Sequence, residues 1–281
     1  MPNKRIHGHE DGKHGYGWHK PINALSKFPM FGASGEIVVT VIPDVIDLRP
    51  LCPPIRDQGS QGACTGFSSA SAVTFQRMAQ KELTNPPNPN DIASPEYIYT
   101  CTRISEGSFP ADAGASIADT VAAIANTGSA SEAFMPYNEN IYNQNPTPDA
   151  YADGLKHKQI SASVIYGNDV ALIDNALANG YTVLIGVSVY ASFEGQAASQ
   201  TGIIPLPATD TNGNYTEALL GGHALEIVGK KPDPSNPTKR IYTFKNSWGT
   251  GWGDQGYGYF FEDYLKNPNL SDDWHVIQLM S

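Results

Sequence analysis

Residues 246–257 read Asn-Ser-Trp-Gly-Thr-Gly-Trp-Gly-Asp-Gln-Gly-Tyr, and the chain on either side of them is strand-like. The apolar stretches 241–245 and 257–261 are predicted to be β-strands, and the glycines between them predict a tight loop. Asn246 then lies at the end of the first strand. Strands joined by short loops pair antiparallel, so this part of the chain favours an antiparallel sheet.

A histidine stands at the start of another predicted strand. His223 follows two glycines and precedes the apolar stretch 224–229. If this strand pairs with 241–245, His223 and Asn246 are neighbours although 23 positions separate them. The Asn246 side-chain oxygen can then accept a hydrogen bond from one imidazole nitrogen, which leaves the other nitrogen aimed at a thiol. Taken alone, a histidine here is more often an ordinary core residue, so the hypothesis depends on a nearby nucleophile.

A candidate nucleophile lies where a glycine-rich loop meets a predicted helix. The sequence Gln-Gly-Ser-Gln-Gly-Ala-Cys, residues 58–64, leads into apolar residues that recur at helical spacing to about Leu83. A thiol attacks only as its thiolate, and the partial positive charge at a helix N-terminus favours that form of Cys64. The glycines leave room for a substrate backbone. On its own, Cys64 is equally well explained as a small buried apolar residue.

Together these segments resemble the papain-like cysteine peptidases. The resemblance covers roughly residues 41–281, and four segments follow one another as they do in that family. Residues 41–49 match the family's mature N-terminus, and residues 55–64 match its Gln and nucleophile segment. Residues 222–224 match the histidine segment, and residues 246–257 match the asparagine segment, which is the most specific of the four.

The resemblance implies a role for each matching residue. Cys64 is the expected nucleophile, and His223 is the expected general base that later acts as general acid. Asn246 is expected to orient the imidazole, and Trp248 to shield the His–Asn hydrogen bond from water. Gln58 is expected to donate its side-chain amide to the oxyanion, beside the backbone N–H of the nucleophile. The resemblance implies no metal and no organic cofactor.

The sequence departs from the family at two positions and in length. The family commonly has a cysteine three residues before the nucleophile and an aromatic residue just after it, where this chain has Gln61 and Thr65. The nucleophile and the histidine are also farther apart than usual. This separation implies inserted loops around residues 136–160 and 191–220, which we expect to border the cleft.

Two glycines before the histidine are candidates for the substrate cleft. By analogy with the family, Gly221 and Gly222 wall the specificity pocket, and their small size suggests an open pocket. An equally good account is that they merely fit the start of the strand.

The pattern along the chain predicts two structural halves. Helices are predicted to start at Ser94 and Ser116 and to cover 169–179, whereas strand-like alternation dominates beyond Gly180. We expect an α+β fold of two lobes with the active-site cleft between them. The helical lobe covers about 50–165, and the lobe built on an antiparallel β-sheet or barrel covers about 166–281.

Three cysteines permit one disulfide and one free thiol in an oxidising compartment. Because Cys64 has distinctive surroundings, we expect Cys52 and Cys101 to pair with each other. Three reduced thiols in a cytosolic protein are the alternative. No Cys-x-x-Cys or Cys-x-x-His spacing is present, which disfavours a zinc site.

Residues 1–40 are predicted to be an extension that precedes the peptidase domain. They lack sustained periodicity and carry four of the seven histidines, at positions 7, 9, 14 and 19. By analogy with the precursors of the family, the extension is a candidate autoinhibitory segment that crosses the cleft. Protonation of its histidines near about pH 6 would then loosen it. Metal capture by the histidines is a weaker alternative.

Composition disfavours several classes of partner. The net charge of −10 and the lack of any Lys/Arg run disfavour nucleic-acid binding. The longest apolar stretch, residues 181–191, is shorter than the ~18 residues of a membrane span. Residues 1–20 hold no apolar signal-peptide core. We nevertheless expect a secreted or periplasmic protein, which is compatible with earlier removal of a signal.

We therefore expect an endopeptidase that hydrolyses protein or peptide substrates through a thioester acyl-enzyme. An exopeptidase or acyl transferase with the same site is one alternative, and it would release product from one chain end or incorporate an amine. A binding protein without catalysis on the same scaffold is another. The intact set of Gln58, Cys64, His223 and Asn246 speaks against the binding protein.

Overall fold

The structure is a computed structural model that describes residues 14–21, 28–32, 41–158 and 160–279. None of the helices within these ranges has the length and apolarity needed to cross a lipid bilayer.

The described part of the chain contains seven α-helices. They are α1 Cys64–Ala79, α2 Pro95–Glu106, α3 Ile117–Thr127, α4 Pro148–Lys156, α5 Val170–Ala178, α6 Gln196–Thr201 and α7 Glu262–Lys266. The predicted starts of α2 and α3 are confirmed. Ser94 accepts a hydrogen bond from the Tyr97 N–H, and Ser116 accepts one from the Asp119 N–H, so each serine satisfies a free backbone donor of its helix.

Eight strands form one sheet within the described residues. They are β1 Ile46–Asp47, β2 Ile160–Ile165, β3 Val183–Tyr190, β4 Ile203–Ile204, β5 Leu219–Asp233, β6 Asn236–Lys245, β7 Tyr257–Phe261 and β8 Ser271–Leu279. Their order is β2-β8-β3-β5-β6-β7-β4, and β1 also pairs with β5. All pairs are antiparallel except that of β4 with β7. The predicted α+β architecture is confirmed.

Two apolar cores lie on either side of the sheet's central strands. One is built from α1, α2 and α3, with Val73, Ile98 and Val121 fully buried. The other contains stacked aromatic rings from β6 and β7, such as Phe244 and Phe260 with centroids 4.5 Å apart. Helix α1 contacts α2 and α3 on one side and β5 and β8 on the other, so it joins the two lobes.

The predicted loop at 136–160 contains more structure than its Asn- and Pro-rich sequence suggests. Thr147 caps α4, and Pro148 occupies its first turn. Strand β2 follows and pairs with β8 along its full length. The lobe predicted to end near residue 165 therefore contributes its last strand to the sheet.

The predicted disulfide between Cys52 and Cys101 is wrong, because all three cysteines are free thiols. The Cys52 thiol donates to the Leu48 carbonyl oxygen at 3.4 Å. Cys101 lies within α2, where its sulfur is close to the side chains of Tyr97 and Thr127. The pairing was inferred from the number of cysteines, which carries no information on the distance between them.

Two described pieces of the extension 1–40 dock on the folded domain. Phe31 is buried, and its N–H donates to the Val164 carbonyl oxygen at 2.8 Å. Residues 14–21 cross from one lobe to the other and lie against the candidate site. The histidines predicted to act at positions 7 and 9 lie outside the described residues.

Candidate active site

His223 and Asn246 are neighbours because β5 pairs with β6. His223 lies on β5 opposite Val187 of β3, and Asn246 directly follows the last residue of β6. The Nε2 of His223 is 2.8 Å from the Oδ1 of Asn246, which also accepts the Ser247 N–H at 2.8 Å. Because that oxygen is an acceptor, Nε2 carries the imidazole proton and Nδ1 is the basic nitrogen. The ring of Trp248 stacks on the imidazole with centroids 4.6 Å apart.

Cys64 is the first residue of α1 and is fully buried. Burial raises the pKa of its thiol to about 11, although the backbone N–H groups of Ala224, Gly17, Thr65 and Trp18 favour the thiolate. Ala224 adjoins His223, so the sulfur lies beside the strand that carries the imidazole.

Burial also lowers the pKa of His223, to about 3. The hydrogen bond to Asn246 raises that pKa, and the nearby ring of His14 lowers it further. With the thiol pKa at about 11, both groups are neutral near pH 7 in this arrangement.

Both the oxygen and the nitrogen of the Gln58 side-chain amide form hydrogen bonds. Its Oε1 accepts the Ser247 hydroxyl at 2.6 Å, and its Nε2 donates to the carbonyl oxygens of Gly15 and Gln61, both at 2.9 Å. The Tyr137 hydroxyl also donates to the Gln58 carbonyl oxygen at 2.6 Å. The amide donor therefore points at a backbone carbonyl of the N-terminal extension.

Residues 14–21 lie in the groove and form backbone hydrogen bonds with both of its walls. The Ala115 N–H donates to the Gly17 carbonyl oxygen at 2.7 Å, and the His19 N–H donates to the Ala115 carbonyl oxygen at 3.2 Å. From the other lobe, the Gly222 carbonyl oxygen accepts the Trp18 N–H at 3.0 Å. The segment is thus bound by main-chain hydrogen bonds from both walls.

The Trp18 side chain lies in a pocket, two walls of which are formed by glycines. A Cβ on Gly186 would lie 2.0 Å from the indole ring, and a Cβ on Gly222 would lie 2.2 Å from the Trp18 carbonyl oxygen. The indole N–H donates to Asp273 Oδ2 at 3.0 Å, and Asp273 also accepts the Ile117 N–H at the start of α3. Burial raises the pKa of Asp273 to about 7, against the lowering effect of Trp18 and the helix N–H groups.

A buried polar cluster connects the three elements that carry the candidate catalytic residues. Lys245 of β6 and Glu226 of β5 are opposite each other in the sheet, and both are buried. The Lys245 ammonium donates to the Ser71 hydroxyl of α1 at 2.7 Å. Movement of α1 relative to β5 or β6 would disturb these contacts, so the cluster fixes the helix of the thiol against the strands of the imidazole and the amide.

Of the two glycines predicted to line the substrate cleft, Gly222 contacts the extension. Gly222 contacts Trp18, whereas Gly221 pairs with Val189 within the sheet. Cys52 and Cys101 take no part in the site. Across the described ranges, no cluster of three or more His, Cys, Asp or Glu residues is arranged to hold a metal ion.

The residues that bind the extension are not recognisable from the sequence. Trp18, Gly186 and Asp273 are far apart in the chain, and only the fold brings them together. The one local signal was Gly-Tyr-Gly-Trp at residues 15–18, where large aromatic residues alternate with glycines within the mainly polar residues 1–20.

Comparisons with known proteins identify the family of the chain. Residues 42–273 match the papain family cysteine protease profile. An uncharacterised peptidase C1-like protein of Acanthamoeba polyphaga mimivirus is 28% identical over 260 residues, which cover 88% of this chain and 78% of the relative. A cathepsin B-like protein of Giardia intestinalis is 29% identical over 84% of this chain and 75% of its own length.

Solved structures give the same result. Xylellain, a cysteine protease from Xylella fastidiosa, superposes with a TM-score of 0.81 at 28% identity, covering 100% of both chains. Digestive procathepsin L 3 of Tenebrio molitor shares the fold with a TM-score of 0.65 at 17% identity, over 95% of this chain and 76% of its own. The chain therefore belongs to the papain family of cysteine proteases and is a peptide-bond hydrolase.

Proposed function

We propose that the protein is an endopeptidase in which Cys64, His223, Asn246 and Gln58 perform the reaction. The observation that carries the proposal is the 2.8 Å hydrogen bond between His223 and Asn246. It leaves the basic Nδ1 of the imidazole free to take the proton of the thiol, whose helix begins next to the same strand.

The reaction follows from these positions. His223 Nδ1 takes the Cys64 proton, and the thiolate attacks the substrate carbonyl carbon. The oxygen of the tetrahedral intermediate gains negative charge, which the Gln58 amide and the Cys64 N–H stabilise. The imidazolium then protonates the leaving amine as the C–N bond breaks. Water, deprotonated by His223, hydrolyses the thioester and restores the thiol.

The course of the extension supports cleavage within a chain. Residues 14–21 pass through the groove and extend on both sides of the candidate nucleophile, so the groove holds a polypeptide on either side of the reacting bond. An exopeptidase would close one end of such a groove. Endopeptidase activity is the function that this geometry favours.

We also propose that residues 14–21 inhibit the enzyme. The Gly15 carbonyl oxygen accepts the Gln58 amide that the oxyanion would need. From the segment, the backbone N–H groups of Gly17 and Trp18 face the sulfur, so its main chain lies over the candidate nucleophile. The segment therefore occupies both the amide donor and the space beside the thiol that a substrate would need.

Alkylation of the Cys64 thiol in the full chain is expected to rise with pH up to about 11, the value to which burial raises its pKa. The rate rises with pH because only the thiolate reacts, and a raised pKa means that the thiolate forms only at higher pH. Rates with iodoacetamide, mapped by mass spectrometry, check this. Cys101 is an internal control, since burial also raises its pKa to about 11. Trp18→Ala should shift only the Cys64 profile to lower pH, and a common shift of both would contradict the inhibition.

An epoxide-type thiol inhibitor tests the proposed chemistry. In the full chain carrying Trp18→Ala, we expect one adduct, on Cys64, together with hydrolysis of peptides at internal bonds. The His223→Ala variant should lose both, because the thiol then has no base. Products released only from one chain end, incorporation of an added amine, or no hydrolysis at all would each contradict the endopeptidase proposal.

A further inference from the structure

We propose that Phe193, Glu194 and Trp248 form a subsite for the substrate residue that follows the cleaved bond. In this subsite Glu194 selects side chains that end in a hydrogen-bond donor. The inference rests on the proposed peptidase function and specifies the side chain that its substrates carry at one position.

The docked extension already fills this subsite with Tyr16. The Tyr16 side chain is only 4% exposed, and its hydroxyl donates to Glu194 Oε1 at 2.5 Å. Its ring lies edge-on to Trp248 with centroids 6.3 Å apart, and Phe193 lies edge-on to the same indole at 5.7 Å. Burial and the neighbouring carboxylate both raise the pKa of Tyr16, so the phenol stays a neutral donor.

Glu194 is held at the edge of the groove by its own loop. It ends the 3-10 turn of residues 191–194, within the insertion predicted to border the cleft. A second carboxylate, Glu217, accepts the N–H groups of Ser192 at 2.8 Å and Ala208 at 2.6 Å, and so fixes this turn. The Glu194 carboxylate is directed toward the extension and not toward the loop.

The position of Trp248 indicates that the subsite lies on the side of the groove that binds the leaving group of the substrate. Trp248 stacks on the imidazole of His223, and Tyr16 packs on the Trp248 side of that ring. Because the imidazolium must protonate the leaving amine, the residue that departs with this amine lies on that side. The Trp18 pocket lies elsewhere in the groove, against Gly186 and Gly222.

Aromatic walls and a single carboxylate define the chemistry of the preferred side chain. Tyrosine fills the space and donates its hydroxyl, and a lysine or arginine stem packs on the rings while its charged end meets Glu194. Phenylalanine fits the walls but gives up the hydrogen bond to the partly exposed Glu194 carboxylate, a bond that is stronger than usual because the acceptor is charged. An acidic side chain would be repelled.

The test uses the full-length chain with Trp18→Ala, which displaces the extension. Peptides that differ only in the residue after the cleaved bond should show kcat/KM higher for Tyr and Lys than for Phe by roughly tenfold. Glu194→Leu should reduce these ratios below about twofold, whereas Asp149→Leu, at an exposed acid on α4, should preserve them. Equal cleavage of Tyr and Phe peptides by the parent would overturn the subsite.

A binding measurement separates this inference from the peptidase function. The full chain with Cys64→Ala and Trp18→Ala is titrated with a peptide of residues 14–21 and with its Tyr16→Phe counterpart. The Phe peptide should bind about tenfold more weakly, and Glu194→Leu should remove the difference. If no variant hydrolyses any peptide, the peptidase proposal fails, and this titration alone decides the subsite: equal affinities reject it, and a Glu194-dependent difference supports it.

Discussion

Replacing Cys64 by alanine is expected to lower kcat/KM for peptide hydrolysis by at least about 10⁴-fold. The substitution removes the sulfur that forms the acyl-enzyme, and no other side chain of the site can take its place. The oxyanion donors and the groove remain, since Gln58 is held by Ser247 and by Tyr137. Substrate binding should therefore persist, and the loss should appear in kcat.

The other two cysteines provide matched controls for this substitution. Cys52→Ala and Cys101→Ala also remove one thiol each, but Cys52 lies near Leu48 and Cys101 lies within α2. Both variants should retain kcat/KM within about twofold, with thermal unfolding showing that all three variants fold. Substantial hydrolysis by Cys64→Ala, or its loss in either control, would show that the nucleophile has been misassigned.

Replacing Trp18 by alanine is expected to raise the initial rate of peptide hydrolysis by the full chain about 100-fold. Deleting a buried aromatic side chain destabilises a packed structure by about 3–5 kcal/mol. Here the substitution destabilises the docked state of the extension relative to the undocked state. The variant also removes the indole N–H that Asp273 accepts at 3.0 Å. The docked state should become the minor one, which exposes Gln58 and the thiol to substrate.

Lys20→Ala is the control for a change in the same segment. Lys20 is exposed, and its contacts to Pro268 and Asp272, both at 3.1 Å, are surface interactions that contribute little. The rate of this variant should stay within about twofold of the parent rate. Equal initial rates for Trp18→Ala and the parent, measured before any self-cleavage, would reject inhibition by residues 14–21.

The parts of the site that depend on local signals could be predicted from the sequence. The apolar stretches next to residues 246–257 predicted two strands, whereas pairing with the strand of His223 was only a condition of the hypothesis, which the structure meets. The serines before α2 and α3 marked helix starts because a side-chain oxygen is needed there. The family resemblance implied roles for Gln58 and Trp248, which periodicity alone does not indicate.

Long-range contacts could not be predicted in the same way. The Trp18 pocket exists because Gly186 and Gly222 lack side chains on adjacent strands, and each glycine alone is compatible with any strand. The disulfide prediction failed for a related reason, since Cys52 and Cys101 were paired by number and not by distance. Strand β2 directly follows the Asn- and Pro-rich stretch that was predicted to be a loop, and its short alternation of apolar residues with serines gave no strand prediction.

The covalent link between residues 14–21 and the domain they occupy has a kinetic consequence. A tethered segment competes at an effective concentration of about millimolar, which does not change when the protein is diluted. One break in the backbone between this segment and β1 would convert it into a separate ligand whose occupancy falls on dilution. The proposed inhibition by these eight residues would then last until a single cleavage allows them to dissociate from the enzyme.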